Sequence, residues 1–461
     1  MTSTHRASAH SDIVAIAFGT TVVMWTLGYV GRLPPAFVPS PLLLLCLLAC
    51  VCGGGFVAGR LTPRGWRGGP PVGILVAALN LLILGSLLTG DRPNQIVPSA
   101  LWWLPGWAIV STGLATAGAW LGARKSPPPR ERDWVHALAV VASGATLLLI
   151  VVGGVVTGYG AGLAVVDWPN SFGYNMFLYP LSRMTGNVYY EHSHRLMGSL
   201  VGLTTLVLVV QLLRSEDRRS IRFLGVAALL MVVAQGILGG LRVTGRLTLS
   251  TSAEDTSPSI TLAVVHGVLG QVFLGTTVSI AVSTSPAWRR SQRSYPASSA
   301  STDQTLAILL TALLVMQLVL GAIQRHMIRG LLMHITLACV VALAAVGSGV
   351  RAWGLYHDQP ILRRLGIALL AGTAGQLVLG IGAAAVTGIW KRSVAAPPIQ
   401  VLITTAHQAL GAVLLALAVM LALWCFRLLR QAPPVPHEED SPAVGLREKV
   451  PAGTWGDPGR P

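Results

Sequence analysis

Apolar runs of about twenty residues recur from one end of the chain to the other, separated by short stretches rich in Arg, Gly and Pro, and a run of that length matches the thickness of a bilayer core. The pattern predicts twelve helices, at residues 12–31, 41–59, 71–90, 99–123, 134–158, 194–214, 223–243, 261–283, 305–325, 331–350, 363–389 and 400–428. A lipid-embedded backbone must satisfy its own hydrogen bonds within the span, so a series of this kind reads as an all-α polytopic membrane protein. The first run follows a short tail with no small-residue cleavage site, and is expected to be a true span rather than a removable leader.

Composition sharpens this picture. Of 461 residues, 52% are hydrophobic and only 11% charged, and the mean hydropathy is +0.64. The net charge of +16 could suggest nucleic acid, but the basic residues lie in short clusters between apolar runs and form no soluble basic face. They read as topology signals. Arg60, Arg64 and Arg67, then Arg124 to Arg132, Arg214 to Arg222, Arg289 to Arg293 and Arg351 to Arg364 all fall in even-numbered connections. The positive-inside rule therefore puts both termini in the cytoplasm of a cell whose plasma membrane holds the protein. All five cysteines, Cys46, Cys50, Cys52, Cys339 and Cys425, fall inside apolar runs, which supports neither a disulfide framework nor a thiolate zinc site. The prolines and the acidic run Glu438 to Asp440 of residues 431–461 predict a disordered cytoplasmic tail.

One stretch breaks the apolar pattern. YYEHSHRLMG, Tyr189 to Gly198, sets Glu191, His192, His194 and Arg195 at the outer mouth of a span. Ionisable groups there are costly and mark functional sites. It follows the longest outer connection, about 159–193, whose aromatic, Gly and Pro residues suit a lid or binding loop.

His194 has counterparts. The interval from His194 to His266 matches that from His334 to His407 to within a single position. HGVLGQVFLG at 266 is similar to HQALGAVLLA at 407, QGILGG at 235 is similar to QLVLGI at 376, and Gln235 precedes His266 by the same interval as Gln376 precedes His407. This predicts a tandem duplication of four-helix units, 134–285 and 305–430, preceded by a four-helix region, 1–125, that holds no histidine within a span. Within each unit the two histidines fall at the same depth on helices running the same way. Each alone reads as a hydrogen-bonded core residue, whereas four with matched spacing point to two pairs of axial ligands for haem iron. Gly198, Gly270 and Gly411, one turn on, would let a flat macrocycle approach. Zinc fits less well, for want of thiolates and carboxylates. Arg195, Arg242, Arg246, Arg325, Arg329, Lys391 and Arg392, all at the outer rim, are candidate partners for haem propionates.

The EHSHR run, GAGLAVVDWP in the loop before it, GGLRVTG at 239–245, HGVLG at 266 and HQALG at 407 together resemble the haem A synthase family, over about residues 134–430. That resemblance implies two pseudo-symmetric four-helix units and a reaction, oxidation of the C8 methyl of haem O to the formyl group of haem A, in cytochrome oxidase assembly. It further implies that His194 and His266 hold the substrate haem O, that His334 and His407 hold a haem b, that Glu191 takes part in turnover, and that a haem O synthase or oxidase assembly factors are partners. Two features depart from the family. Residues 159–193 contain no cysteine, so a thiol-dependent step of members with a loop cysteine pair cannot operate here, and the first four spans have no counterpart.

Two other functions fit parts of the pattern. A quinol-linked dihaem b electron carrier would use the same four histidines but would not need Glu191 or long loops on one unit only. A secondary transporter would share the spans and the repeat without haem.

Overall fold

In a computed structural model the chain is described over residues 10–34, 36–90, 92–124, 132–245, 257–291, 295–389 and 396–432. The acidic tail, Arg246, Arg293, Lys391, Arg392, His5 and His437 lie outside the described residues. Thirteen α-helices are present among the described residues: α1 (Ser11–Gly31), α2 (Ser40–Leu61), α3 (Gly69–Leu84), α4 (Ala100–Ala123), α5 (Trp134–Gly158), α6 (Gly186–Ser215), α7 (Arg219–Thr244), α8 (Ile260–Thr284), the short α9 (Pro286–Arg290), α10 (Ala300–Met327), α11 (Leu331–Gly354), α12 (Pro360–Ile389) and α13 (Pro398–Leu428). Eleven segments are long and apolar enough to cross a membrane; α4, which carries Pro105 and several tryptophans, is not among them. The chain is an all-α polytopic membrane protein.

The helices close into three groups. α1 to α4 pack on one another; α5, α6, α7 and α8 form a ring in that order, and α10, α11, α12 and α13 form a second. The rings meet through α5 and α8 against α13 and through α8 against α10, while α1 lies on α5. In lipid there is little hydrophobic drive between helices, so close approach depends on small residues. Gly55 and Gly59 of α2 lie against the backbone of Ala115 and Ala119, and Gly118 and Gly122 of α4 lie against Cys52 and Phe56. A Cβ at any of the four would collide with a carbonyl oxygen, at 1.9 Å for the first three and 2.3 Å for Gly122. One buried core runs continuously from α1, α2 and α3 into α5, α6 and α8, whereas the second ring has its own.

The largest difference from the expected spans concerns α6. It starts at Gly186, two turns ahead of the expected position 194, so Glu191 and His194 sit inside the helix rather than at its mouth. The early start is possible because the polar side chains of this first stretch find partners, as described below. A parallel pair of short strands, Tyr295–Ala297 and Leu429–Gln431, ties the connection before α10 to the end of α13.

At the end of the bundle away from the histidines, Glu216 follows α6 and accepts from Arg218 Nε at 2.8 Å and Nη2 at 2.7 Å, with Arg289 at 3.4 Å. Arg289 also pairs with Asp133, the residue that caps α5 through the amide of His136. Burial alone would push the Glu216 carboxyl up, but the hydrogen bonds and charge of Arg218, with Arg289 behind them, outweigh it and hold the group down at about 2. A carboxyl depressed in the folded state stabilises above its unfolded pKa, about 4.3, and that contribution fades as pH falls toward 2. Thermal unfolding of detergent-solubilised protein should therefore show a loss of Tm between about pH 4.3 and 2 that Glu216→Gln reduces; an unchanged pH profile in the variant would show that this cluster carries no such linkage.

Candidate functional site

Each ring brings its two histidines together. His194 of α6 faces His266 of α8 with ring centres 6.3 Å apart and planes at 78°, and His334 of α11 faces His407 of α13 at 6.4 Å and 79°. Two pairs built from different segments thus adopt the same arrangement. The Nδ1 atoms of His194, His266 and His407 are buried with no hydrogen-bond partner. Buried polar atoms of that kind are rare and call for a ligand or another explanation.

What holds these rings is a glycine on the preceding helix. A Cβ at Gly153 of α5, Gly239 of α7, Gly321 of α10 or Gly380 of α12 would meet Cε1 of His194, His266, His334 and His407 at 3.2, 3.4, 3.2 and 3.1 Å. One turn before three of these glycines stands a glutamine, on the same helix face. Gln235 donates to the backbone carbonyl of His266 at 2.9 Å and Gln317 to that of His334 at 3.0 Å, with Gln317 Nε2 also 3.1 Å from His334 Nδ1. Gln376 lies against Gly411, 3.3 Å from where a Cβ would be. The fourth position is Leu149, which leaves His194 without an amide of this kind. Gly270 and Gly411 therefore make room for glutamine amides rather than for an open face, and of the three glycines singled out from the sequence only Gly198 has nothing within 4 Å.

The glycine cradles were not recognised in the sequence, although the signal was present: QLVLG occurs at 317–321 and again at 376–380. It escaped comparison because the α10–α11 connection is short, so Gln317 stands much nearer to His334 in the chain than Gln235 does to His266 or Gln376 to His407.

Above the first pair the loop between α5 and α6 folds back on the helices, held by Glu191 and Arg195. Glu191 is 4% exposed; one oxygen accepts the Val165 amide and the other accepts from Arg195, both at 2.9 Å. Arg195 Nη1 donates to the carbonyls of Asp167 and Asn170 at 2.6 and 3.0 Å, and Nη2 to that of Val165 at 2.9 Å. Both Nη atoms are thus committed to loop and helix. Asp167 takes the amides of Phe172 and Gly173, and His192 bonds Ser171 Oγ at 3.1 Å, which identifies His192 as a loop anchor. The GAGLAVVDWP and GGLRVTG motifs meet here: Trp168 stacks on Gly240, and the Arg242 guanidinium lies directly against Gly162.

Arg242 and Arg325 are two further cations at this end. Neither makes an ion pair among the described residues; Arg325 donates to Gly154 O at 3.0 Å, linking the second ring to α5, and its buried Nε has no partner. Arg329 is exposed. No group of three or more His, Cys, Asp or Glu able to hold a metal ion occurs among the described residues. Two imidazoles are half of a tetrahedral zinc shell, so each pair suits an occupant that brings further donors of its own.

The fold and site thus define a class: an all-helical polytopic membrane protein with two geometrically matched, half-buried histidine pairs at one end of the bundle. Residues 136–336 match the model of the cytochrome oxidase assembly protein family (COX15-CtaA). The matched stretch contains His194, His266 and His334 and ends before His407; α1 to α4 precede it. No curated protein matches the chain.

Removing one member of a buried ion pair leaves the other charged and unpaired, at a cost of about 3–5 kcal/mol. Arg195→Ala should lower stability by that order and raise hydrogen exchange across residues 159–185 more than elsewhere. Exchange spread evenly over the chain would show that the pair does not hold the loop.

Proposed function

We propose that the chain is a haem A synthase-like oxidoreductase that converts the C8 methyl of haem O to the formyl group of haem A. The observation that carries this reading is the pair geometry. With a metal–imidazole bond of about 2 Å and about 1.2 Å from nitrogen to ring centre, two imidazoles on opposite sides of one iron have centres about 6.4 Å apart. Both observed pairs, at 6.3 and 6.4 Å, agree with that spacing. The orphaned Nδ1 atoms and the glycine cradles support the same reading, because each ring is fixed from behind and three of the four still lack a polar partner.

In this reading the rings are two tandem units. His194 and His266 hold the substrate haem O, and His334 and His407 hold a haem b. Iron in a bound haem supplies the one-electron chemistry that oxidation of a methyl group needs. The protein's own residues orient and shield. Glu191 and Arg195 keep the α5–α6 loop closed over the first pair, while Arg242 and Arg325, which make no ion pair among the described residues, take propionates. Taking CH3 to CHO with water as the oxygen donor would release four protons and four electrons, the electrons leaving through the haem iron to an external one-electron acceptor. Glu191, one turn before His194 on the same helix, is the carboxylate placed to accept a proton, at the oxygen now bonded to the Val165 amide. Leu149 in place of glutamine leaves His194 the least constrained of the four, as suits a ligand that must release product. The second unit has no such carboxylate: from Leu306 to Gln431 its only acidic residue is Asp358, far from the histidines. A haem O synthase or oxidase assembly factors would supply substrate or receive product.

Haem extraction tests the ligand sets. His334→Ala or His407→Ala should empty the second site and leave the first, and His194→Ala or His266→Ala should do the reverse; wild-type haem content and spectra in all four variants would overturn the assignment. Glu191→Gln retains an oxygen for Arg195, so the fold should persist. It should keep both haems yet accumulate haem O or a hydroxylated intermediate in cells, with haem A falling by about 10²-fold or more. Near-normal haem A at matched protein level would remove Glu191 from the chemistry.

A further inference from the structure

The four helices that precede the matched stretch line a large cavity. About 790 Å³ in volume, it lies between α1, α2, α3, α4 and α6 at the same end of the bundle as the histidines. Its walls are hydrocarbon and aromatic, and Trp25, Trp102, Trp103 and Trp107 contribute much of them. Gly28 and Gly106 also line it, and a Cβ at either would meet nothing within 4 Å, so the space is not merely loose packing around large side chains. α6 supplies its far wall through Tyr189, Ser193, Leu196 and Met197, the face adjoining that of His194, and the α5–α6 loop adds Leu181 and Met184.

Polar groups gather where α1 ends. Tyr29 is 5% exposed and its hydroxyl has no hydrogen-bond partner among the described residues, although its ring stacks on Tyr189 at 5.6 Å and its carbonyl accepts from the Tyr189 hydroxyl. Arg32 stands just beyond the end of α1, at the rim, with a long 3.5 Å contact to Ser40 Oγ as its side-chain hydrogen bond among the described residues. No carboxylate lines the cavity among the described residues. A chamber of hydrocarbon with one orphaned buried hydroxyl and one cation at its mouth is complementary to an amphiphile of a particular kind. Its body is apolar chain, it carries an acceptor near the top of that chain, and its head is negative.

We propose that this cavity binds one anionic phospholipid, its acyl chains among the tryptophans, an ester carbonyl on the Tyr29 hydroxyl and its phosphate on Arg32. The lipid then joins the four N-terminal helices to α6 and to the loop over the first histidine pair, because α6 and Leu181 and Met184 form part of its wall. This gives α1 to α4 a role independent of any haem.

Native mass spectrometry of the full chain, delipidated in detergent and titrated with phosphatidylglycerol or phosphatidylcholine, tests the site. Phosphatidylglycerol should be retained as one tight adduct at roughly tenfold lower concentration than phosphatidylcholine, the factor expected of one charge-assisted contact. Arg32→Gln should abolish the preference, and Gly106→Leu, which fills the chamber without touching a polar group, should weaken both lipids. Hydrogen exchange over residues 176–190 should slow on adding phosphatidylglycerol to the wild type but not to Gly106→Leu. Equal retention of the two lipids, or retention indifferent to Gly106→Leu, would overturn the proposal, as would a co-purified quinone that phosphatidylglycerol fails to displace. None of these readouts depends on haem, so failure here leaves the ligand assignment standing.

Discussion

Four imidazoles held inside an apolar bundle are the constraint on which the rest of this structure depends. A polar ring surrounded by hydrocarbon cannot be left to find its own orientation, because lipid offers it no solvent partner. The fold meets this in one way four times: a helix hairpin sets a glycine behind each ring, and in three of the four hairpins a glutamine one turn away lies against the helix that carries the histidine. Ring orientation is thereby fixed chiefly by backbone approach, and the two pairs come out alike, with centres 6.3 and 6.4 Å apart and planes at 78° and 79°.

The same need for polar satisfaction explains why the first ring carries the elaborate loop. Glu191 and Arg195 are buried ionisable groups one turn apart, and each uses the loop backbone to complete its hydrogen bonding. Loop and helix therefore depend on each other. Without the carbonyls of Val165, Asp167 and Asn170 the Arg195 guanidinium would keep Glu191 as its counter-charge but leave several N–H donors unsatisfied, and without Arg195 those carbonyls would lose a shared donor. The second ring has no ion pair of this kind at its histidine end among the described residues, and its connection from α10 to α11 is only a few residues long.

The N-terminal helices belong to this arrangement more closely than their absence from the matched family would suggest. They share a buried core with the first ring. The connection between α3 and α4 also holds its loop directly: Thr89 donates to Leu178 O at 2.6 Å, and Asn94 accepts the Asn175 amide at 2.7 Å. A division of the chain at residue 125 marks where the matched stretch has yet to begin and is no boundary in packing.

By itself the sequence determined what depends on local chemistry and period. Runs of span length dictate helices wherever they occur in lipid, so nearly all the helix positions were legible, as was the pairing of His194 with His266 and of His334 with His407. The start of α6 was not, because whether polar residues such as Glu191 and Arg195 extend a helix inward depends on partners in a distant part of the chain, the carbonyls of Val165, Asp167 and Asn170. Nor could sequence show that Arg195 is spent on the loop while Arg242 and Arg325 make no ion pair among the described residues: all three are arginines near a helix end, and only the fold brings a carboxylate and several carbonyls to one of them. The glycine cradles lay in between. Their pentapeptide repeat is in the sequence, but a glycine's meaning is the neighbour it admits, and that neighbour is chosen by how the helices pack.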